Sequence, residues 1–208
     1  VNDSLHLIIS DLKSKTNTLV YSSDDGMTWT GLGNTIFDIQ GKKVYNANGL
    51  WVAVGEGTVN TLAISSDGIN WTGKGKIFDT MGSDVYYYKG RWVAVGEHSD
   101  STKCVAYSTD NGSTWSYYGF SLLTVAKSVL HNGLKWFVGG YTENNYKPVI
   151  LSDDGINWVY PTASPANLIM VNSMCVNDSN TVVVVGKGTN HYNYVSYRTV
   201  NNGNAWQS

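Results

Sequence analysis

The sequence predicts an all-β chain of five tandem units, on three observations. Five turn glycines, Gly26, Gly68, Gly112, Gly155 and Gly203, recur at spacings of 42, 44, 43 and 48 residues, and a tryptophan follows each of them three positions later. A β-rich run of the type Trp51-Val52-Ala53-Val54-Gly55 precedes the later copies. β-Branched and aromatic residues dominate, and no stretch sustains a 3.6-residue apolar period, so helical solenoids are excluded. Repeats of ~40–45 residues with four short strands each are the signature of propeller blades: a unit of that size cannot bury its own apolar face and must stack on its neighbours. The expectation is a five-bladed β-propeller forming one domain over residues 1–208, with blades at about 1–33, 34–75, 76–119, 120–161 and 162–208.

The second unit sets the pattern, with strand a at Lys43–Ala47, b at Trp51–Gly55, c at Thr61–Ser65 and d at Asn70–Gly73. The third repeats it at Asp84–Tyr88, Arg91–Gly96, Cys104–Ser108 and Thr114–Tyr117, and the fourth at Lys127–His131, Lys135–Gly139, Pro148–Ser152 and Asn157–Tyr160. The fifth reads Ser173–Asn177, Thr181–Gly186, Tyr194–Tyr197 and Ala205–Ser208. The first supplies b, c and d only, at Leu5–Ser10, Thr18–Ser22 and Thr28–Thr30. Val1-Asn2-Asp3-Ser4 matches Val176-Asn177-Asp178-Ser179 at the end of a strand a, so either the first blade is three-stranded or the chain is cut from a longer one. Blades that close on one another hide their edges.

The c–d turn explains its own residues. Gly adopts positive φ at little steric cost. Asp accepts backbone N–H bonds inside the turn, Ser adds weaker ones, and the Trp covers the hairpin. SSDDGMTW (Ser22–Trp29) and STDNGSTW (Ser108–Trp115) match Ser/Thr-x-Asp-x-Gly-x-Thr-Trp at each fixed position. SSDGINW (Ser65–Trp71) and SDDGINW (Ser152–Trp158) are a shorter variant, and TVNNGNAW (Thr199–Trp206) keeps Gly and Trp with Asn201 in place of Asp. This pattern resembles the Asp-box, or BNR, repeat of a propeller family, and the resemblance spans nearly the whole chain. It implies a structural role, away from the functional face, for Asp24, Gly26, Trp29, Asp67, Gly68, Trp71, Asp110, Gly112, Trp115, Asp154, Gly155, Trp158, Gly203 and Trp206. The turns lack the later bidentate Glu of an EF-hand, so no metal is expected there.

Composition narrows function. Net charge is −2 and basic residues cluster no further than Lys42-Lys43, so the basic footprint of a nucleic-acid binder is missing. The longest strand-like apolar run is Val182–Val185, short of the ~20 residues that span a bilayer. Asn2, Asp3 and Ser4 stand where the basic region of a signal peptide would be. Cys104 and Cys175 fall two repeats apart and read as two small buried thiols rather than a disulfide. Sequons at Asn2, Asn70, Asn111 and Asn177 matter only in a glycosylating pathway. No cofactor is expected.

The b–c and d–a loops, on the face opposite the hairpins, are where a rigid scaffold carries function. Asp11, Glu56 and Glu97 follow strand b at equivalent positions, with Gly140 and Lys187 in the later copies. Tyr118, Tyr141, Tyr146 and Tyr192 lie at or near the same face, where aromatic rings stack on sugars or anchor proteins. Glu56, Glu97 and these four tyrosines are the candidate ligand contacts, and no catalytic residue is assigned. Some relatives with this box are sialidases, which hold the substrate carboxylate with an arginine triad. This chain has only Arg91 and Arg198, on different units, so that activity is excluded. A different glycosidase needs two carboxylates flanking one bond. His98 and His191 lack metal-ligand spacing, and His6 and His131 fall in or beside strands. The resemblance extends to repeats of cell-surface, phage and large-virus proteins and to assembly factors. A virion or secreted recognition module for a protein or glycan is the leading expectation, with an intracellular assembly scaffold or a glycoside hydrolase as alternatives.

Overall fold

A computed structural model describes residues 6–9, 16–143, 147–189, 194–199, 203 and 205–207. The described residues are all-β apart from one turn of 3₁₀ helix at Ser101–Lys103. Repeat 1 contributes β1 (His6–Ile9), β2 (Leu19–Ser22) and β3 (Thr30–Gly31), a three-stranded antiparallel sheet. Repeat 2 contributes β4 (Gln40–Ala47), β5 (Leu50–Glu56), β6 (Leu62–Ser65) and β7 (Thr72–Gly73), and repeat 3 contributes β8 (Met81–Tyr88), β9 (Arg91–Glu97), β10 (Val105–Ser108) and β11 (Ser116–Tyr117); each set is a four-stranded meander. Repeat 4 supplies β12 (Val125–His131), β13 (Trp136–Tyr141) and β14 (Val149–Ser152). Repeat 5 supplies β15 (Leu168–Val176), β16 (Val182–Gly188) and β17 (Tyr194–Thr199). The last two repeats join through a single ladder pair, Tyr141↔Met170. Successive inner strands stand side by side, β1 by β4, β4 by β8, β8 by β12 and β12 by β15.

Strand d is shorter than the sequence predicts. In repeat 4 it shrinks to one bridge, Leu151↔Val159, where the sequence predicts a strand over Asn157–Tyr160. The next hydrogen-bonded rung would need an N–H from Pro161, which has none. The a–b turns are tighter. Ala47↔Leu50 and Tyr88↔Arg91 each close a two-residue loop, with Asn48-Gly49 and Lys89-Gly90 all at positive φ, the conformation that matches strand twist.

Four hydrophobic clusters fill the spaces between consecutive repeats. Leu19 and Phe37 meet Ala53 and Ala63; Val52, Val54 and Leu62 meet Trp92 and Ala94; Val93, Val95 and Val105 meet Trp136 and Val138; Phe137, Val149 and Leu151 meet Leu168, Val182 and Val184. The period-2 alternation of strand b divides its side chains between two interfaces, which is why this strand reads as a continuous apolar run. Each valine, leucine or phenylalanine side chain so buried contributes about 1.5–3 kcal/mol.

The hairpins are built as their residues dictate. Asp24 Oδ1 accepts from Ser22 Oγ (2.6 Å) and Thr28 N (2.8 Å), and Gly26 N donates to Ser22 Oγ (2.9 Å). Asp110 does the same with Ser108 and Thr114. In the shorter turns the outer partner is Asn70 for Asp67 and Asn157 for Asp154, through both main-chain and side-chain nitrogen. Thr thus serves four residues after the Asp and Asn serves three, which explains why turn length and partner change together. Trp29, Trp71, Trp115 and Trp206 each donate Nε1–H to the turn glycine's carbonyl, at 3.0–3.2 Å. Trp158 departs from this: it is 2% exposed against 40% for Trp29, and its buried Nε1 has no hydrogen-bond partner among the described residues.

Cys104 is buried as expected, while Cys175 is exposed, because β15 turns Asn172, Ser173 and Cys175 to solvent. Cys104 occupies a repeat position. Thr18 and Thr61 donate their hydroxyls to the carbonyls of Phe37 (2.7 Å) and Phe78 (2.9 Å), and Cys104 Sγ reaches Leu123 O at 3.4 Å. Burial pushes its thiol pKa up to about 12, so it is no nucleophile at neutral pH.

Candidate functional site

The loop face is organised by a defect repeated in each inner strand of repeats 2 to 5. Strand register slips by one between Gly41 and Lys43, Gly82 and Asp84, Ala126 and Ser128, and Val171 and Ser173. The extra residues at these slips are Lys42, Ser83, Lys127 and Asn172; β15 slips once more between Leu168 and Met170, at Ile169. A bulge of this kind frees one residue from the ladder and re-aims its side chain. It also explains the glycine that ends each β-rich run. A Cβ on Gly55, Gly96, Gly140 or Gly186 would stand 1.8–2.4 Å from the carbonyl oxygen of Gln40, Met81, Val125 or Met170.

Lys42, Ser83, Lys127 and Asn172 all line one depression of about 290 Å³. Its remaining wall is Met81, Val125 and Glu97, at the first rung of their ladders. Lys42 and Asn172 are exposed at the rim, while Ser83, Lys127 and Glu97 are half-buried. One rung deeper, Lys43, Asp84 and Ser128 occupy equivalent places in three successive sheets. Asp84 accepts from Val85 N (2.9 Å), Val129 N (3.0 Å) and Ser128 Oγ (3.2 Å), with Lys43 Nζ at 3.9 Å. Burial raises its pKa; the Val129 N–H and the Lys43 charge offset part of that rise.

Side-chain latches hold the surrounding loops. Asp38 accepts from Thr58 N and Oγ1, both at 2.6 Å, and Asp79 accepts from Ser99 N (2.9 Å) and the Ser99 hydroxyl. In both cases the hydroxyl bond is the first cause of a lowered carboxyl pKa. His98 lies 3.6 Å from Asp79, and its Nδ1 accepts from Asp100 N at 3.0 Å. His131 is buried, stacked on Tyr88 with ring centroids 3.5 Å apart; burial, and then the Lys89 charge, lower its pKa to about 4. Among the described residues no three His, Cys, Asp or Glu side chains gather as a metal set.

The residues singled out from sequence divide. Glu56, Glu97 and Tyr141 occupy the same rung of successive ladders, opposite Gln40, Met81 and Val125. The fourth-repeat equivalent of the two glutamates is therefore Tyr141 and not Gly140, which pairs with Ala126 one rung in; Lys187 holds the place in repeat 5. Glu97 faces the depression, and Tyr141 forms the bridge to β15 beside it. Tyr118 stands apart: its hydroxyl donates to Trp158 O at 2.6 Å and its ring packs into the core between repeats 3 and 4. Tyr146 and Tyr192, with Asp11 and His191, lie outside the described residues. Lys42, Ser83, Lys127 and Asn172 were missed. Their signal is a small residue followed by two polar ones at the start of strand a, as in Gly82-Ser83-Asp84, which breaks the alternation of a regular strand.

No protein-family model matches this chain, and neither does any curated protein. Solved structures do. A family GH74 xyloglucanase from Xanthomonas campestris superposes with a TM-score of 0.61 at 14% identity, over 98% of this chain and 30% of the enzyme chain. A chain of a nidogen–laminin complex superposes with a TM-score of 0.65 at 11% identity, over 97% of this chain and 76% of its own. This chain thus spans less than a third of the xyloglucanase it matches. At such identities the likeness is one of fold: the chain is an all-β protein of antiparallel sheets arranged like those of β-propellers.

Proposed function

We propose that the chain is a five-bladed propeller of Asp-box repeats and a non-enzymatic recognition module, which presents its loop face to a protein or glycan partner on a virion or outside the cell. The observation that carries this reading is the depression where four inner strands converge, lined by Lys42, Ser83, Lys127, Asn172 and Glu97 on rigid strands. Sites of this kind sit on a scaffold whose fold does not dictate the chemistry. One structural neighbour comes from a complex with laminin and the other is a xyloglucanase, so such folds host both partner binding and glycan chemistry. Non-enzymatic binding is favoured because Glu97 is the one carboxylate among the described residues that line the depression, whereas glycoside hydrolysis uses a pair.

A blocking experiment tests it. In a Cys175→Ser background, a cysteine introduced at Thr58 on the loop face or at Met27 on a hairpin is coupled to a bulky polymer. Capture on a glycan array and from a panel of purified surface proteins is then measured. Capture lost only with the Thr58 adduct supports the reading; capture lost only with the Met27 adduct contradicts it. Glycan turnover that disappears in Glu56→Gln or Glu97→Gln replaces it with the hydrolase.

A further inference from the structure

We infer that the depression between the inner strands takes a hexuronate, a six-carbon sugar ring carrying one carboxylate, either free or as the end unit of a glycan. The inference rests on the recognition reading and deepens it. Charge selects a monoanion. Lys42 and Lys127 present two ammonium groups and Glu97 one carboxylate, while the neighbouring Lys43 and Asp84 lie 3.9 Å apart and balance one another. A neutral sugar would leave one of the two lysine charges uncompensated. A bare carboxylate or phosphate would set an anion against Glu97 without bringing it a hydrogen-bond donor.

Hydroxyl groups remove that conflict. Glu97 is an acceptor only, and Ser83 and Asn172 both donate and accept, the mixture a polyol needs. Ammonium–carboxylate bonds are the stronger, charge-assisted kind and fix the acid end. Met81 and Val125 supply apolar wall for the C–H face of a pyranose ring. The space of about 290 Å³ suits one ring with a few waters. The four bulges come from four different repeats, so the site requires their stacking and belongs to no single unit.

The test is calorimetric titration of the full chain with methyl galacturonide and methyl glucuronide, against the neutral methyl galactoside and glucoside and against sodium acetate. The expected result is at least tenfold tighter binding of a uronide than of its neutral counterpart and of acetate. Lys127→Gln should weaken the uronide at least tenfold. Lys42→Gln, at an exposed position where folding is not at stake, should weaken it in the same direction with an unchanged melting temperature. Glu97→Gln should narrow the preference for uronide over acetate. Uronide and neutral sugar binding alike, acetate binding as tightly as uronide, or wild-type affinity in both lysine variants would each overturn the inference. Neutral-glycan or protein capture blocked by the Thr58 adduct would overturn the hexuronate alone and leave the recognition reading standing. Release of methanol from a uronide would remove the non-enzymatic reading while a Lys127-dependent affinity kept the ligand class.

Discussion

Replacing Gly96 by Ala probes the bulge that shapes the loop face. A Cβ at that position would lie 2.3 Å from Met81 O and 2.7 Å from Phe78 Cγ, roughly 1 Å inside ordinary contact. Neither neighbour yields easily. The carbonyl belongs to the ladder, and Phe78 is fully buried with its own carbonyl and N–H tied to Thr61. Overpacking of this sort costs about 1–3 kcal/mol. The loss of glycine's freedom in the unfolded chain returns about 0.4–1 kcal/mol. A net destabilisation of about 1.3 kcal/mol follows at the middle of these ranges, which for a chain of this length lowers the melting temperature by about 3–5 °C. Urea and thermal unfolding measure it. Phe78→Leu, which clears part of the clash, should couple favourably with Gly96→Ala by about 1 kcal/mol in a double-mutant cycle. A loss below about 0.5 kcal/mol for Gly96→Ala, with no coupling to Phe78, would mean that the slipped register is absent and would refute the reasoning.

Other perturbations read other parts of the structure. Cys104→Thr should be neutral or stabilising by up to about 1 kcal/mol, because it restores the hydroxyl bond that Thr18 and Thr61 make, whereas Cys104→Val should not; chemical denaturation distinguishes them. Lys89→Asn should add about 0.5 kcal/mol by placing a residue tolerant of positive φ at the a–b turn. Asp84→Ala should cost about 1–3 kcal/mol, since Val129 N–H and the Ser128 hydroxyl lose their acceptor between sheets. Acid stability should fall in two steps. His131, held neutral to about 4, contributes stability that is present above 6.5 and lost as pH falls from 6.5 toward 4. The hairpin carboxylates Asp24 and Asp110, lowered to about 2 chiefly by the Ser22 and Thr114 hydroxyls, contribute stability that is lost between about 4 and 2. Unfolding midpoints in urea at stepped pH should show the upper step vanish in His131→Gln and the lower one persist.

The repeat was legible because its marks are local. Turn glycine, Asp, Ser and Trp act within one hairpin, and the period of their recurrence carries the stacking with it. Strand order and the a–b and c–d turns follow from the same short-range chemistry. The bulges were not legible, since a slip in register depends on which residues of a partner strand face one another. Tyr141 therefore shares a rung with Glu97, although counting from Trp136-Phe137-Val138-Gly139 places Gly140 there. The depth of Trp158 and the exposure of Cys175 depend on neighbouring repeats in the same way. Tyr118 looked like a surface aromatic, yet its hydroxyl found a carbonyl 40 residues away. An amphipathic ring near a face can close an interface as readily as open one.

Side-by-side stacking of the repeats is the claim on which the site depends, and crosslinking tests it most directly. Asn48 Nδ2 lies 3.3 Å from Asn111 Oδ1 across 63 residues of sequence, and Asn132 Nδ2 lies 3.1 Å from Asn180 O across 48. In a Cys175→Ser background, cysteine pairs introduced at Asn48 with Asn111 and at Asn132 with Asn180 are treated with a short bis-maleimide, and the intact mass of the monomer is read. The account predicts one intramolecular crosslink for each pair, abolished in denaturant, and none for Asn48 paired with Asn180. Failure of both contacting pairs, or equal crosslinking of Asn48 with Asn180, would contradict it.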